Sequence, residues 1–187
     1  MRRPRPWVIV PGIWNSDPDH WQSLWQDDRS ADDPGAVVRI APASWSEPDP
    51  DDWSRAITSA VAAVDEPPVL IVHSLGVLAV AAWLGQRGHA EVAGAFLVAP
   101  PDPLAPGFPA AAAGFVEPVA QAAPAVATRL VVSDDDPYCT LDRALAFADV
   151  LGAGVVRVGT LGHVNVASGV GAWPAGRALV DDLERTL

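Results

Sequence analysis

Pro67-Pro68-Val69-Leu70-Ile71-Val72-His73-Ser74-Leu75-Gly76-Val77-Leu78-Ala79-Val80 is the stretch that decides the fold. Val69 to His73 is a strand-length run, apolar up to its last residue, and an apolar, Ala-rich pattern of helical character starts directly after Ser74. A strand that passes at once into a helix puts the intervening serine on a tight turn at the carboxyl end of a sheet. That edge is where open parallel sheets carry their chemistry. Read alone, Ser74 fits a helix cap as well as a nucleophile. The rest of the chain has to separate the two.

The totals narrow the field. A chain of 187 residues, 50% of them apolar and 19% charged, is expected to form one domain over residues 1–187 with a full-sized core, which leaves out disorder and a charged binding tail. Twelve Lys plus Arg against 23 Asp plus Glu give a formal charge of -11, the wrong field for a protein that tracks a nucleic-acid backbone. The start of the chain is basic, but Trp7 to Val10 is too short for a signal-peptide core before Pro11 and Gly12, and no later run reaches membrane-span length. A cytoplasmic protein, monomeric or weakly dimeric, with no membrane partner is expected. Cys139 is the only cysteine, and the histidines at 20, 73, 89 and 163 lack metal-ligand spacing, so neither a disulfide nor a metal site is expected. No Gly-x-Gly-x-x-Gly and no Gly-Lys-Ser loop is present, and no cofactor is expected.

Along the chain, strand-like runs fall at Trp7–Val10, 36–40, Val69–His73, 92–99, 130–133 and 155–158. Helical patterns lie between them: one entered at Asp17 and Pro18 and running to Gln26, one over 51–64, one from Leu75, one over Leu141–Leu151 capped by Thr140, and one from Pro174 to near Leu187. Pro100 to Pro109 is too rich in proline for a simple helix and, with the Ala-rich piece to Ala127, either walls a pocket or bridges two strands. Alternation over the whole length predicts an α/β fold: about six mostly parallel strands with helices on both faces.

Three chemistry-bearing positions then fall on one edge of that sheet. Ser74 follows the third strand, the acidic run Asp134-Asp135-Asp136 follows the fifth, and His163 follows the sixth. A hydroxyl, a base titrating near neutrality and a carboxylate to orient it are the parts of a serine acyl-transfer site. His163, after Gly162, is the histidine placed for the base, whereas His73 reads as a packed neighbour of Ser74, His20 as a brace of the first loop and His89 as surface. Which carboxylate serves stays open between Asp136 and Asp134, since a solvated turn explains acidic residues before Pro137 equally well. Backbone N–H groups of Leu75 and of Ile13, where Gly12 makes room, are the expected oxyanion donors. Trp14, Trp45, Tyr138 and Trp173 lie on loops near this edge and are expected to line an aromatic pocket for a small acyl substrate, while Trp7, Trp53 and Trp83 fill core. Cys139, beside carboxylates, reads as a small packed residue.

With these positions in place the sequence resembles the small serine hydrolases related to retinoblastoma-binding protein 9 and the bacterial YdeN-like proteins, a branch of the α/β-hydrolase superfamily. The likeness rests on Val10-Pro-Gly-Ile-Trp14 with His20, Trp21 and Trp25, on Val72-His-Ser-Leu-Gly76, on Ser133-Asp-Asp-Asp-Pro-Tyr138, and on Gly162-His-Val-Asn165 with Ser168, Gly169, Gly171, Trp173 and Pro174. It implies a single-domain α/β-hydrolase fold with a minimal cap or none, Ser74 as nucleophile, Asp136 as the acid and His163 as the base, acting on a small ester, thioester or amide. One residue departs from Gly-x-Ser-x-Gly: Val72 replaces the first glycine, and a β-branched residue there is expected to widen the elbow. Two rival readings share the scaffold: a protein- or ligand-binding module with little activity, and a non-hydrolytic enzyme such as a lyase or cofactor-free peroxidase.

Overall fold

A computed structural model of the chain describes residues 4–87, 91–116, 118 and 126–187. His89 and part of the Ala-rich segment lie outside the described residues. Six strands, β1 (Trp7–Val10), β2 (Val37–Arg39), β3 (Val69–His73), β4 (Gly94–Val98), β5 (Ala127–Val132) and β6 (Gly154–Arg157), form one sheet in the order β2-β1-β3-β4-β5-β6. Every pairing is parallel, so each strand presents its carboxyl end at the same edge. The strand order reverses between β1 and β3. Loops leaving two adjacent strands diverge there, and a crevice opens at such a point.

Period-two alternation divides the core in two. Val8, Val10, Leu70, Val72, Leu97, Leu130 and Val132 face helices α2 (Pro50–Ala62), α3 (Leu75–Arg87) and α4 (Leu141–Leu151). Trp7, Ile9, Val69, Ile71, Phe96, Val98 and Val131 face α1 (Trp21–Asp32) and α5 (Pro174–Glu184). Trp7, Trp53 and Trp83 are fully buried, as expected of core tryptophans. Buried indole N–H groups need acceptors, and these find them: Trp7 on Glu184, Trp53 on the Ser44 carbonyl and Trp83 on Thr58. Among the described residues no helix is long and apolar enough to cross a membrane.

Helix α1 differs from the sequence reading at both ends. Its cap is His20, not Asp17 with Pro18, because the His20 Nδ1 accepts the Gln22 N–H. It runs on past Gln26 to Asp32 because the buried face continues: Arg29 lies four residues after Trp25, with its guanidinium 4.0 Å from the Trp7 ring centroid. In the first turn, Gln22 is fully buried and donates to the carbonyls of Val10 and Ile71, tying α1 to the end of β1 and the middle of β3.

Close approach of β1 to α3 depends on Gly76. A Cβ there would stand 2.6 Å from the Pro11 carbonyl oxygen and 2.7 Å from that of Val10, both backbone atoms that cannot move aside. Gly76→Ala should therefore lower the unfolding free energy by about 1–3 kcal/mol, the usual cost of overpacking, read from urea denaturation. An unchanged midpoint would contradict this packing.

Candidate active site

Ser74 sits between β3 and α3 at φ +53, in the left-handed region that side-chain-bearing residues rarely adopt. Helix-capping serines have extended backbones, a geometry that Ser74 does not share. The Ser74 N–H is held by the Val98 carbonyl at 3.0 Å, and its hydroxyl turns to His163 Nε2 at 2.8 Å. Strain of this kind, about 1–3 kcal/mol, persists where the surroundings fix it. Gly12 supplies part of that fixing, since a Cβ on it would stand 2.8 Å from Ser74 Cβ. The loop after β1 thus passes directly over the serine. Val72 is fully buried in the α3-side core, and the left-handed turn at Ser74 forms with valine in that position.

His163 is 7% exposed and sits behind β6. Its Nδ1 lies 2.9 and 3.0 Å from the two carboxylate oxygens of Asp136, which assigns the ring proton to Nδ1 and leaves Nε2 to accept from the serine hydroxyl. The Tyr138 N–H donates to the same carboxylate at 2.9 Å, and the Tyr138 ring stands edge-on to the imidazole. Each aspartate of the acidic run does something different. Asp134 pairs with Arg157 at 3.0 Å, Asp135 accepts from Ser133 Oγ and from the Gly162 N–H, each at 2.8 Å, and Asp136 meets His163. The two hydrogen bonds hold the Asp135 carboxyl below its ordinary pKa.

The loop carrying His163 has little regular structure of its own and hangs on side-chain donors. His73 Nε2–H donates to the His163 carbonyl at 2.9 Å, Trp21 Nε1–H to that of Val164 at 2.9 Å, and Trp25 Nε1–H to that of Ala172 at 2.7 Å. Opposite it, Trp14 and Asn15 follow Gly12 and Ile13 with φ +69 at both. Trp14 N–H is held by the Trp45 carbonyl at 2.8 Å, and Asn15 Oδ1 accepts from Arg39 Nη1 at 2.7 Å. Arg39 and Asp135 escaped the sequence reading. The available signals were an arginine closing an otherwise apolar strand and an acidic run longer than one orienting carboxylate requires.

A cavity of about 700 Å³ opens onto this edge, lined by Ile13, Trp14, Ser74, Leu75, Tyr138 and His163 among others. Two of the four aromatic residues expected there are elsewhere. Trp173 is 4% exposed and stacks on Trp25 in the α1/α5 core, over Gly176, where a Cβ would collide with the indole. Trp45 is half-buried against Trp53 on the other face and reaches the site only through its carbonyl. Cys139 is buried, its thiol pushed up to about 12 by burial and by the Asp102 and Asp136 carboxylates, so it stays protonated.

The all-parallel sheet with a strained serine, a histidine and an aspartate in one hydrogen-bonded line defines a hydrolase of the α/β class. The chain belongs to the serine hydrolase family, whose profile matches residues 7–182. A solved YdeN-like hydrolase from Pectobacterium atrosepticum SCRI1043 is 30% identical, with TM-score 0.80 over 97% of this chain and 91% of that one. The ydeN gene product of B. subtilis (18% identity, TM-score 0.76, 96% and 98% covered) shares the fold. So does an α/β-superfamily hydrolase from Xanthomonas campestris (20%, TM-score 0.65, 98% and 100%). No curated protein matches the chain. The protein is an enzyme, a serine hydrolase with the minimal architecture of the YdeN-like branch.

Two neutral histidines back the site. Burial, then Arg39 and His163, lower the His20 pKa to about 4, and burial, then His163 and His20, put that of His73 well below 6.5. Unfolding restores ordinary values near 6.5, so the unfolded chain binds more protons and stability falls as pH drops through that value. His20 alone should remove about 1.4 kcal/mol per pH unit between 6.5 and 4, with His73 adding in the same direction. The carboxyls of Asp102 and Asp135, held below the ordinary 3.8, lose their contribution only at lower pH. Urea denaturation at pH 7.5 and pH 5 should show the loss, and equal stability at the two would contradict neutral, buried rings.

Proposed function

We propose that Ser74 is the nucleophile, His163 the general base and acid, and Asp136 its orienting carboxylate, in the hydrolysis of a small carboxylic ester or thioester. The reading rests on one observation above all: the continuous line from Asp136 through both nitrogens of His163 to Ser74 Oγ, with every step between 2.8 and 3.0 Å. Ser74 Oγ attacks the acyl carbon as its proton passes to His163 Nε2, and Asp136 stabilises the imidazolium so formed. The carbonyl π pair becomes an oxyanion facing the N–H groups of Ile13 and Leu75. Neither N–H donates to an acceptor among the described residues, and a donor of this kind is worth about 3 kcal/mol in the transition state. Collapse breaks the bond to the leaving group, which takes the proton from Nε2. Water, deprotonated by the same nitrogen, then releases the acid and restores Ser74.

Substrate preference follows from the walls. Leu75, Pro101, Ala105, Phe108, Pro109 and Ala112 supply apolar surface, and no arginine lines the cavity among the described residues of a chain that has no lysine. An uncharged acyl group of modest length suits such a lining, since each buried methylene adds about 0.8 kcal/mol.

Steady-state hydrolysis of p-nitrophenyl butyrate tests the assignment. Ser74→Ala, His163→Ala and Asp136→Asn should each lower kcat/KM by about 10³-fold or more, whereas Asp134→Asn, which loses only the Arg157 pair, should stay within a few-fold of the parent. Equal losses for the two aspartate variants, or activity surviving in Ser74→Ala, would overturn it.

A further inference from the structure

Gln22, in the first turn of α1, is fully buried and stands outside the lining of the cavity. Its Nε2 lies 3.2 Å from the Val10 carbonyl oxygen and 2.9 Å from that of Ile71, and carbonyls only accept, so the amide is oriented with its hydrogens toward the strands. Its Oε1 then faces the buried Ser16 hydroxyl, which donates to it at 2.7 Å. An apolar side chain would fill such a site without burying any polar atom. A buried amide with every polar atom satisfied instead rigidifies what it joins.

What it joins is the loop beside the nucleophile. The chain leaves β1 at Val10, passes through Pro11-Gly12-Ile13-Trp14-Asn15 and reaches Ser16. Val10 and Ser16 therefore bracket the Ile13 N–H, the proposed oxyanion donor, and one side chain binds both. The remaining bond goes to Ile71, three residues before Ser74. This loop does not hold itself: Trp14 and Asn15 both stand at φ +69, a costly region for side-chain-bearing residues. Nor is there slack, since a Cβ on Gly12 would stand 2.8 Å from Ser74 Cβ. A misplacement of about 1 Å at such a site is enough to cost about 10²-fold in rate. The outer side of the loop is held separately, by the Trp45 carbonyl on the Trp14 N–H and by Arg39 on Asn15.

We propose that Gln22 is a positioning residue for acyl transfer: its amide fixes Val10 and Ser16 against β3 and so aims the Ile13 N–H at the oxyanion formed over Ser74. It touches no substrate and acts only through the loop. This rests on the serine-hydrolase reading with Ile13 as a donor, and adds the residue that sets the donor's place. The donor meets full negative charge only after attack on the carbonyl. A displaced loop therefore slows the chemical step and leaves binding in the apolar cavity nearly unchanged.

The test uses Gln22→Met, Ser16→Ala and the double variant, with two readouts. One is steady-state hydrolysis of p-nitrophenyl butyrate. The other is inhibition by 1,1,1-trifluoroheptan-2-one, whose carbonyl carbon takes a bond from Ser74 Oγ as the hydroxyl proton passes to His163 and the π pair becomes an oxyanion. Heptan-2-one, too weak an electrophile to hold that adduct, reports binding in the cavity alone. Ser16→Ala should lower kcat by about 10-fold and Gln22→Met by about 10²-fold, with KM within about 3-fold of the parent. The Ki of the trifluoroketone should rise in step with the loss of kcat, and that of heptan-2-one should stay. The double variant should be no slower than Gln22→Met, because the Ser16 hydroxyl acts through the amide. A merely structural glutamine lowers the urea midpoint and leaves kcat and both Ki values of the folded protein unmoved. Should Gln22→Met fail to fold, the smaller change Ser16→Ala decides. Unchanged kcat and trifluoroketone Ki in Ser16→Ala, or losses that add in the double variant, overturn the inference alone. Wild-type protein that does not hydrolyse the ester overturns the serine-hydrolase reading and this inference with it.

Discussion

A serine forced into a left-handed turn at the carboxyl end of the central strand is the constraint on which the site depends. Ser74 holds φ +53 only because three neighbours leave no alternative. Val98 binds its N–H, Gly12 lets the β1 loop pass within contact of its Cβ, and Gly76 lets α3 start against Pro11 and Val10. Each is a backbone-level condition, and together they point the hydroxyl away from the helix and into the cavity. The reversal of strand order between β1 and β3 brings the Gly12 loop and the serine turn side by side. The proposed oxyanion donors and nucleophile would therefore arise from a single topological feature.

Positioning the histidine is a different physical problem. No strand or helix carries His163, so its loop is suspended from donors rooted in the rigid layers. Trp21 and Trp25 on α1 and His73 on β3 grip its carbonyls, and Asp135 grips the Gly162 N–H. Trp21 and Trp25 thus spend their indole N–H groups as structural clamps. His73 links the strand that leads into Ser74 to the main chain of His163, and as a neutral ring its Nε2 remains a donor to a carbonyl.

Much of this was legible in the sequence wherever local pattern and tertiary role agree. The apolar run into Ser74, Thr140 before α4 and Pro174 opening α5 all carry short-range signals that the fold honours. Misreadings arose where a partner distant in the chain decides. Asp17 is the better cap by propensity, yet His20 caps α1 because its ring is held among Trp21 and His73. Trp173 looks like a pocket residue until Gly176 clears a seat for its indole on α5, and Trp45 turns inward to Trp53. The acidic run was ambiguous for the same reason: three adjacent carboxylates are alike in sequence, and only Arg157, Gly162 and His163 distinguish them.

Mass mapping after treatment of the native protein with a fluorophosphonate bears most directly on the central claim that Ser74 is held and activated as a nucleophile. A single adduct on the peptide containing Ser74, lost in His163→Ala, is the predicted result. Folded native protein that takes up no label, or takes it at another residue, would contradict the account.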